Sequence, residues 1–229
     1  MIRQSAEFSA KSHVDTAGPY REKDRESKDS FANILNFSLS GTNIGVKSAD
    51  SDPSRLAATR MATQHQEAHA VIHDLVEHFE RNIGSYLNQA YNETQVRREF
   101  IDPFFQALGW DVTNKAGYAE AYKDVIHEDA VKVGGATKAP DYSFRIGGTR
   151  KFFLEAKRPS VGIKDETGPA YQLRRYAWSA KLPLSILTSF AEFAVYDCRL
   201  KPKENDKAST GRILYFTYKD YASRWILLP

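Results

Sequence analysis

Three charged residues stand where a strand pattern would bury them. The stretch Ala139 to Lys157 reads APDYSFRIGGTRKFFLEAK: two apolar runs joined by Gly147-Gly148, with Asp141 at the start of the first and Glu155 and Lys157 at the end of the second. Burying an unpaired ion costs on the order of several kcal/mol, so such a pattern needs something to pair the charges. In a strand, residues two apart share a face, so Glu155 and Lys157 project together with Phe153, while Leu154 and Ala156 point the other way. A hairpin through the Gly-Gly turn brings Asp141 opposite Glu155, within one residue of register, where cross-strand Cβ atoms lie roughly 4.5 to 5.5 Å apart. Two carboxylates that close repel unless a cation sits between them. Hard oxygens with room left for water suit Mg²⁺, which also accepts phosphate oxygens. The chemistry this predicts is phosphodiester hydrolysis. Asp141 and Glu155 hold the metal, and Lys157, kept protonated by its acidic neighbours, orients the nucleophile and offsets charge at phosphorus rather than acting as general base.

Glu-x-Lys alone says little, since Glu26-Ser27-Lys28 matches it too. The discriminating context is Pro-Asp at a strand start, a tight Gly-Gly turn, then Glu-x-Lys closing an apolar strand. Upstream, Ala68, Val71, Ile72, Leu75, Phe79 and Ile83 recur at three- and four-residue steps, which predicts a helix over residues 56–87. A second helix is expected over 92–108, opened by an Asn92/Gln95 capping box, kinked at Pro103 and stopped by Gly109. Then come VIHEDAVKV, DYSFRI and KFFLEAK as strands, a helix begun by Gly168-Pro169, and the strands LSILT, EFAVYDC and RILYFTY. That order predicts an α/β architecture, a mixed sheet flanked by helices. On the helix after the hairpin, Gln172 and Tyr176 share a face at i and i+4. Gln172 is expected near the active site, and Arg174 or Arg175 near a DNA backbone. Tyr176 is carried beside them as a nucleic-acid candidate, although it and Trp178 suit core aromatics better than stacking platforms. His65, His69 and His73 line one side of the first helix and read as exposed histidines rather than a metal stripe.

Composition bounds these expectations. The 229 residues are 41% hydrophobic and 27% charged, ordinary for a globular chain. Residues 1–60 are polar and aperiodic apart from FANILNFSL, which predicts a loosely packed extension before a domain over 61–229. The start lacks a secretory apolar core and no run is long enough to span a bilayer, so the expected location is cytoplasmic, without membrane contact. Cys198 is the single cysteine, which excludes an internal disulfide and a cysteine zinc cage. Net charge is only +3, yet residues 138–181 hold ten Lys or Arg against four Asp or Glu. A basic field beside buried acids suits a polyanion.

These residues carry a resemblance. Pro140-Asp141, Glu155-Ala156-Lys157, and Gln172 with Tyr176 four residues on resemble the PD-(D/E)xK nuclease pattern with its Q-x-x-x-Y helix. From Val96 to Tyr221, including VKVGGATKAPDYSFRIGG, FFLEAKRPSV and AYQLRRYAWSAKLPLSILT, the chain is similar to the N-terminal nuclease domain of type IIG restriction-modification enzymes. The resemblance implies the restriction-endonuclease-like fold, Mg²⁺ as one or two ions, cleavage of double-stranded DNA, and a helix glutamate approaching the metal, for which Glu99 is the candidate. Neither an Asn/Asp-Pro-Pro-Tyr/Phe methyltransferase motif nor GxxxxGK[ST] occurs, which predicts a detached nuclease domain. A separate methyltransferase or specificity protein and a homodimer on DNA are the partners expected. The alternative is a non-catalytic DNA-binding or assembly module.

Overall fold

The computed structural model describes residues 53–224, with side chains from residue 63. Most of the expected N-terminal extension, FANILNFSL within it, and residues 225–229 lie outside the described residues. Helix α1 (Pro53–Arg81) and the short α2 (Ile83–Tyr86) occupy the first predicted helix. Ala68, Ile72 and Phe79 are buried as the periodicity requires, whereas Val71 sits at the border, 43% exposed.

The second helix begins with the expected reciprocal cap. Asn92 Oδ1 accepts from the Gln95 amide at 3.0 Å and Gln95 Oε1 accepts from the Asn92 amide at 2.9 Å. It runs as α3 (Glu93–Val96), a π-helical turn (Arg97–Ile101) and α4 (Asp102–Ala107). Pro103 supplies the reason for the wide turn: it has no amide hydrogen to return to Glu99, and the π turn makes room for its ring. Gly109, at φ 90°, ends the helix, with Trp110 donating its amide back to the Phe105 carbonyl at 3.0 Å.

The strands form a six-stranded mixed sheet in the order β1-β4-β5-β6-β7-β8, and the architecture is compatible with the restriction-endonuclease-like fold. Here β1 is Val125–His127, β4 Tyr142–Ile146, β5 Thr149–Ala156, β6 Leu184–Thr188, β7 Glu192–Asp197 and β8 Arg212–Thr217. Only β5 and β6 pair in parallel. The connection between them is α5 (Thr167–Ser179), the crossover that a parallel pair requires.

The stretch VIHEDAVKV, expected as one strand, is two. Glu128 turns it at φ 53°, so Val125–His127 joins the main sheet while β2 (Val131–Val133) pairs with β3 (Ala136–Lys138) as a separate ribbon.

The sheet is buried on both faces. Phe152, Leu154 and Ala156 point into one core with Phe79, Phe100 and Phe105 of the N-terminal helices. Phe153 points into a second core with Leu173, Tyr176 and Ala177 of α5 and Val131 and Val133 of the ribbon. Glu155 and Lys157, in step with Phe153, therefore emerge on the α5 side.

Candidate active site

Register sets the site. Tyr142 pairs with Leu154, so the next pair outward is Asp141 with Glu155. Gly147 and Gly148, at φ 56° and 77°, make the tight turn behind it. A Cβ on Gly148 would stand 2.6 Å from the Ala121 carbonyl oxygen, so the turn is closed to other residues by packing as well as by conformation.

Each side chain is tied down from a different element. Asp141 Oδ2 accepts the Ala156 amide at 2.7 Å, fixing the carboxylate to the neighbouring strand. Its Oδ1 faces Arg97 at 3.4 Å, and that guanidinium lies 4.7 Å over the Tyr142 ring. The Lys157 amide donates to the Thr188 carbonyl at 2.9 Å, prolonging the β5–β6 ladder to the residue that matters. Lys157 Nζ donates to Glu155 Oε1 at 3.1 Å, and Gln172 Nε2 donates to the same oxygen at 2.7 Å. Glu155 Oε2 is buried with no hydrogen-bond partner.

The electrostatics follow from burial. Glu155 is only 4% exposed. Desolvation, and then the nearby Asp141, push its carboxyl up from the ordinary 4.5 to about 7, against the pull of Lys157. Burial draws the Lys157 ammonium down, but Glu155, Glu93 and Asp141 outweigh it and hold it above its usual value. Lys157 is thus a fixed cation. A buried, unpartnered carboxylate oxygen beside a second carboxylate is a donor set that fits a hard divalent cation.

The structure brings together Asp141, Glu155, Lys157 and Gln172. Glu99 is a correction. Its carboxylate lines a cleft of about 470 Å³ with Val71, Asp74, Leu75 and His78 of α1, and after burial it is the main influence raising the Tyr91 hydroxyl. The helix acid that does approach is Glu93, with Oε1 3.7 Å from Lys157 Nζ. Glu93 and Glu99 are six residues apart, so they leave the helix on different faces.

Arg174 is a second correction. It is 1% exposed and pairs with Asp206 at 2.8 Å inside the fold, where no DNA backbone reaches. Arg175 is exposed, stacked 5.4 Å from the Tyr171 ring centre. Tyr176 is a core aromatic, its hydroxyl raised by burial and then by Glu155. Of the histidine stripe, His73 is exposed and lies 3.7 Å from Glu77, while His65 and His69 are half-buried. Arg97 and Glu93 were invisible in the sequence because nothing in a charged helix start says which charges fold back onto a distant strand.

No helix among the described residues is long and apolar enough to cross a membrane. No family model matches the chain, and no solved structure matches it. Over 153 residues, 66% of the chain, it is 42% identical to the type II restriction enzyme and methyltransferase RM.Eco57I of Escherichia coli. That stretch is 15% of the relative's length, so the similarity is to one part of a much longer protein.

Proposed function

We propose that this chain is a Mg²⁺-dependent DNA endonuclease unit of a restriction-modification system, with a PD-(D/E)xK site of type IIG character. One observation carries the reading. On a strand end otherwise built for burial, Glu155 offers one oxygen to Lys157 and Gln172 and keeps the other buried and unpartnered. A solvated ion pair has no reason for that arrangement, because an unmet buried polar atom costs roughly 1–3 kcal/mol. Similarity to a protein named as a restriction enzyme and methyltransferase supports the same conclusion.

In this mechanism Asp141 and Glu155 would hold the cation. Gln172 fixes the rotamer of Glu155, and the Ala156 amide fixes that of Asp141. Bound Mg²⁺ supplies charge that polarises the phosphoryl group and makes water more acidic. Lys157 positions the attacking water and offsets negative charge building on the phosphoryl oxygens. Its raised pKa suits that role and not proton abstraction. Arg97 offsets the charge of Asp141 at 3.4 Å, and Glu93 stands 3.7 Å from Lys157 as a further oxygen donor.

Double-stranded DNA is the proposed substrate. Methylation and target recognition come from a methyltransferase or specificity unit on the same or another chain, and cutting of both strands from two copies meeting on DNA.

A plasmid-nicking assay tests this. Wild type nicks with Mg²⁺ and not with EDTA, while Asp141→Ala and Lys157→Ala each lose on the order of 10²-fold or more in rate. Metal-dependent cutting that survives both substitutions removes the mechanism. Salt-sensitive DNA binding with neither metal heat nor cleavage identifies a non-catalytic module instead.

A further inference from the structure

We propose that the β2–β3 ribbon and Arg175 of α5 form a clamp on the phosphate backbone of duplex DNA beside the candidate active site, an inference that rests on the nuclease reading above. The ribbon stands apart from the main sheet. Val131 and Val133 bury one side of it against α5, which turns Lys132 outward, and all of Ala136–Lys138 is exposed. Arg145 and Arg150 are not available to a ligand. Both are committed to Asp129 at 2.6 and 2.7 Å, a contact that straps the base of the ribbon to the sheet.

What remains is a set of uncommitted cations. Among the described residues no carboxylate lies within ion-pair distance of Lys138 or Arg175; Lys138, paired with Val131, shares the α5 side of the ribbon, whereas Lys132, bonded to Thr137 at 2.7 Å, is on the opposite face. Their positions bracket the site. Lys138 precedes Asp141 by three residues, and Arg175 follows Gln172, the donor to Glu155, by one helical turn. At the ribbon tip, Gly134 and Gly135 take φ 57° and 86°, and a Cβ on Gly134 would lie 3.9 Å from the Arg175 guanidinium. The bare tip leaves that guanidinium exposed, and the Tyr171 ring centre lies 5.4 Å from it.

Lys138 and Arg175 present charge on the α5 side of the ribbon, with no cluster of Asn, Gln or carboxylate side chains beside them in Val131–Lys138. This arrangement matches a ligand whose charges repeat along a backbone, gripped without regard to sequence. A phosphate clamp placed here would hold the scissile strand over Asp141, Glu155 and Lys157.

The test measures binding of a short DNA duplex with Ca²⁺ in place of Mg²⁺, across a salt series. Lys138→Ala/Arg175→Ala weakens binding by roughly an order of magnitude at moderate salt and lowers the slope of log K against log[salt] by about 2, one per lost phosphate contact. Arg175→Lys on the Lys138 background recovers part of the affinity. The charge-matched control Lys201→Ala/Lys207→Ala, on exposed positions of the loop between β7 and β8, binds like wild type.

Wild-type affinity and slope in the clamp variant, or an equal loss in the control, overturn the clamp. If wild type cleaves with Mg²⁺ in that case, only the clamp falls. If wild type binds through the clamp but never cleaves, the nuclease reading falls and the clamp stands. Wild type that neither binds nor cleaves sinks both.

Discussion

Glu155 sits under opposed demands: burial asks for a proton, and a metal asks for its removal. Its folded pKa of about 7 lies above the ordinary 4.5, so ionising it costs the metal-free fold. That penalty is absent at low pH, accrues as pH rises from about 4.5 to 7, and is constant above. In metal-free protein, Glu155→Gln therefore melts higher than wild type at about pH 8, and the gap closes near pH 4.5. Melts across pH check this, and a gap independent of pH would sink the assignment. Mg²⁺ affinity of the wild type rises through the same window, because binding must release the proton.

In the proposed site Gln172 would act on a bound metal through Glu155, to which it donates at 2.7 Å. Gln172→Leu withdraws a donor from the charged carboxylate, so cleavage falls by about 10- to 100-fold. The acid limb of its pH–rate profile also moves to higher pH, since losing a hydrogen bond to the ionised form raises a pKa further. A rate loss with an unmoved profile would mean that Gln172 serves packing alone.

The helix that carries Glu93 and Arg97 is set by its ends and its wide turn. Asn92 caps the first turn, and Pro103 forces the π turn that carries Arg97 at its start. Asn92→Ala removes the acceptor for the Gln95 amide and costs about 1 kcal/mol, read as a lower urea midpoint at unchanged m. Because Glu93 is the next residue, the same variant cleaves more slowly at equal protein. A destabilised variant with wild-type cleavage would detach Glu93 from the chemistry. The β4–β5 hairpin has less freedom, with the Gly147-Gly148 turn and the Phe144/Arg145 bulge fixing the register that sets Asp141 against Glu155.

Two cores, one on each face of a single sheet, make β5 the centre of the molecule. Its even-numbered residues pack against the N-terminal helices and its odd-numbered ones against α5, so the site forms where the odd row runs out of hydrophobic cover. Arg174 belongs to this packing. It ties α5 to Asp206 in the loop between β7 and β8. Arg174→Ala leaves Asp206 with only the Lys203 amide and opens a cavity where the buried side chain was, at a cost of about 2–3 kcal/mol in urea unfolding. The salt slope of DNA binding stays at its wild-type value, and a reduced slope would return Arg174 to the DNA surface.

The sequence by itself determined the hairpin and the acids on it, because glycine conformation, strand alternation and the cost of buried charge act over neighbouring residues. Asp141, Glu155 and Lys157 on one face, Gln172 close by, the Asn92 cap and the Gly109 stop were all legible in this way. Only the tertiary structure decided which distant charges join them. Arg174 and Arg175 are adjacent and alike in composition, yet one is sealed in the fold and the other exposed. The difference is a rotation of about 100° around a helix whose orientation depends on everything packed against it. Glu93 displaced Glu99 for the same reason, and the break of one expected strand at Glu128 into a sheet edge and a separate ribbon packed on α5 depended on where the sheet ran out of partners.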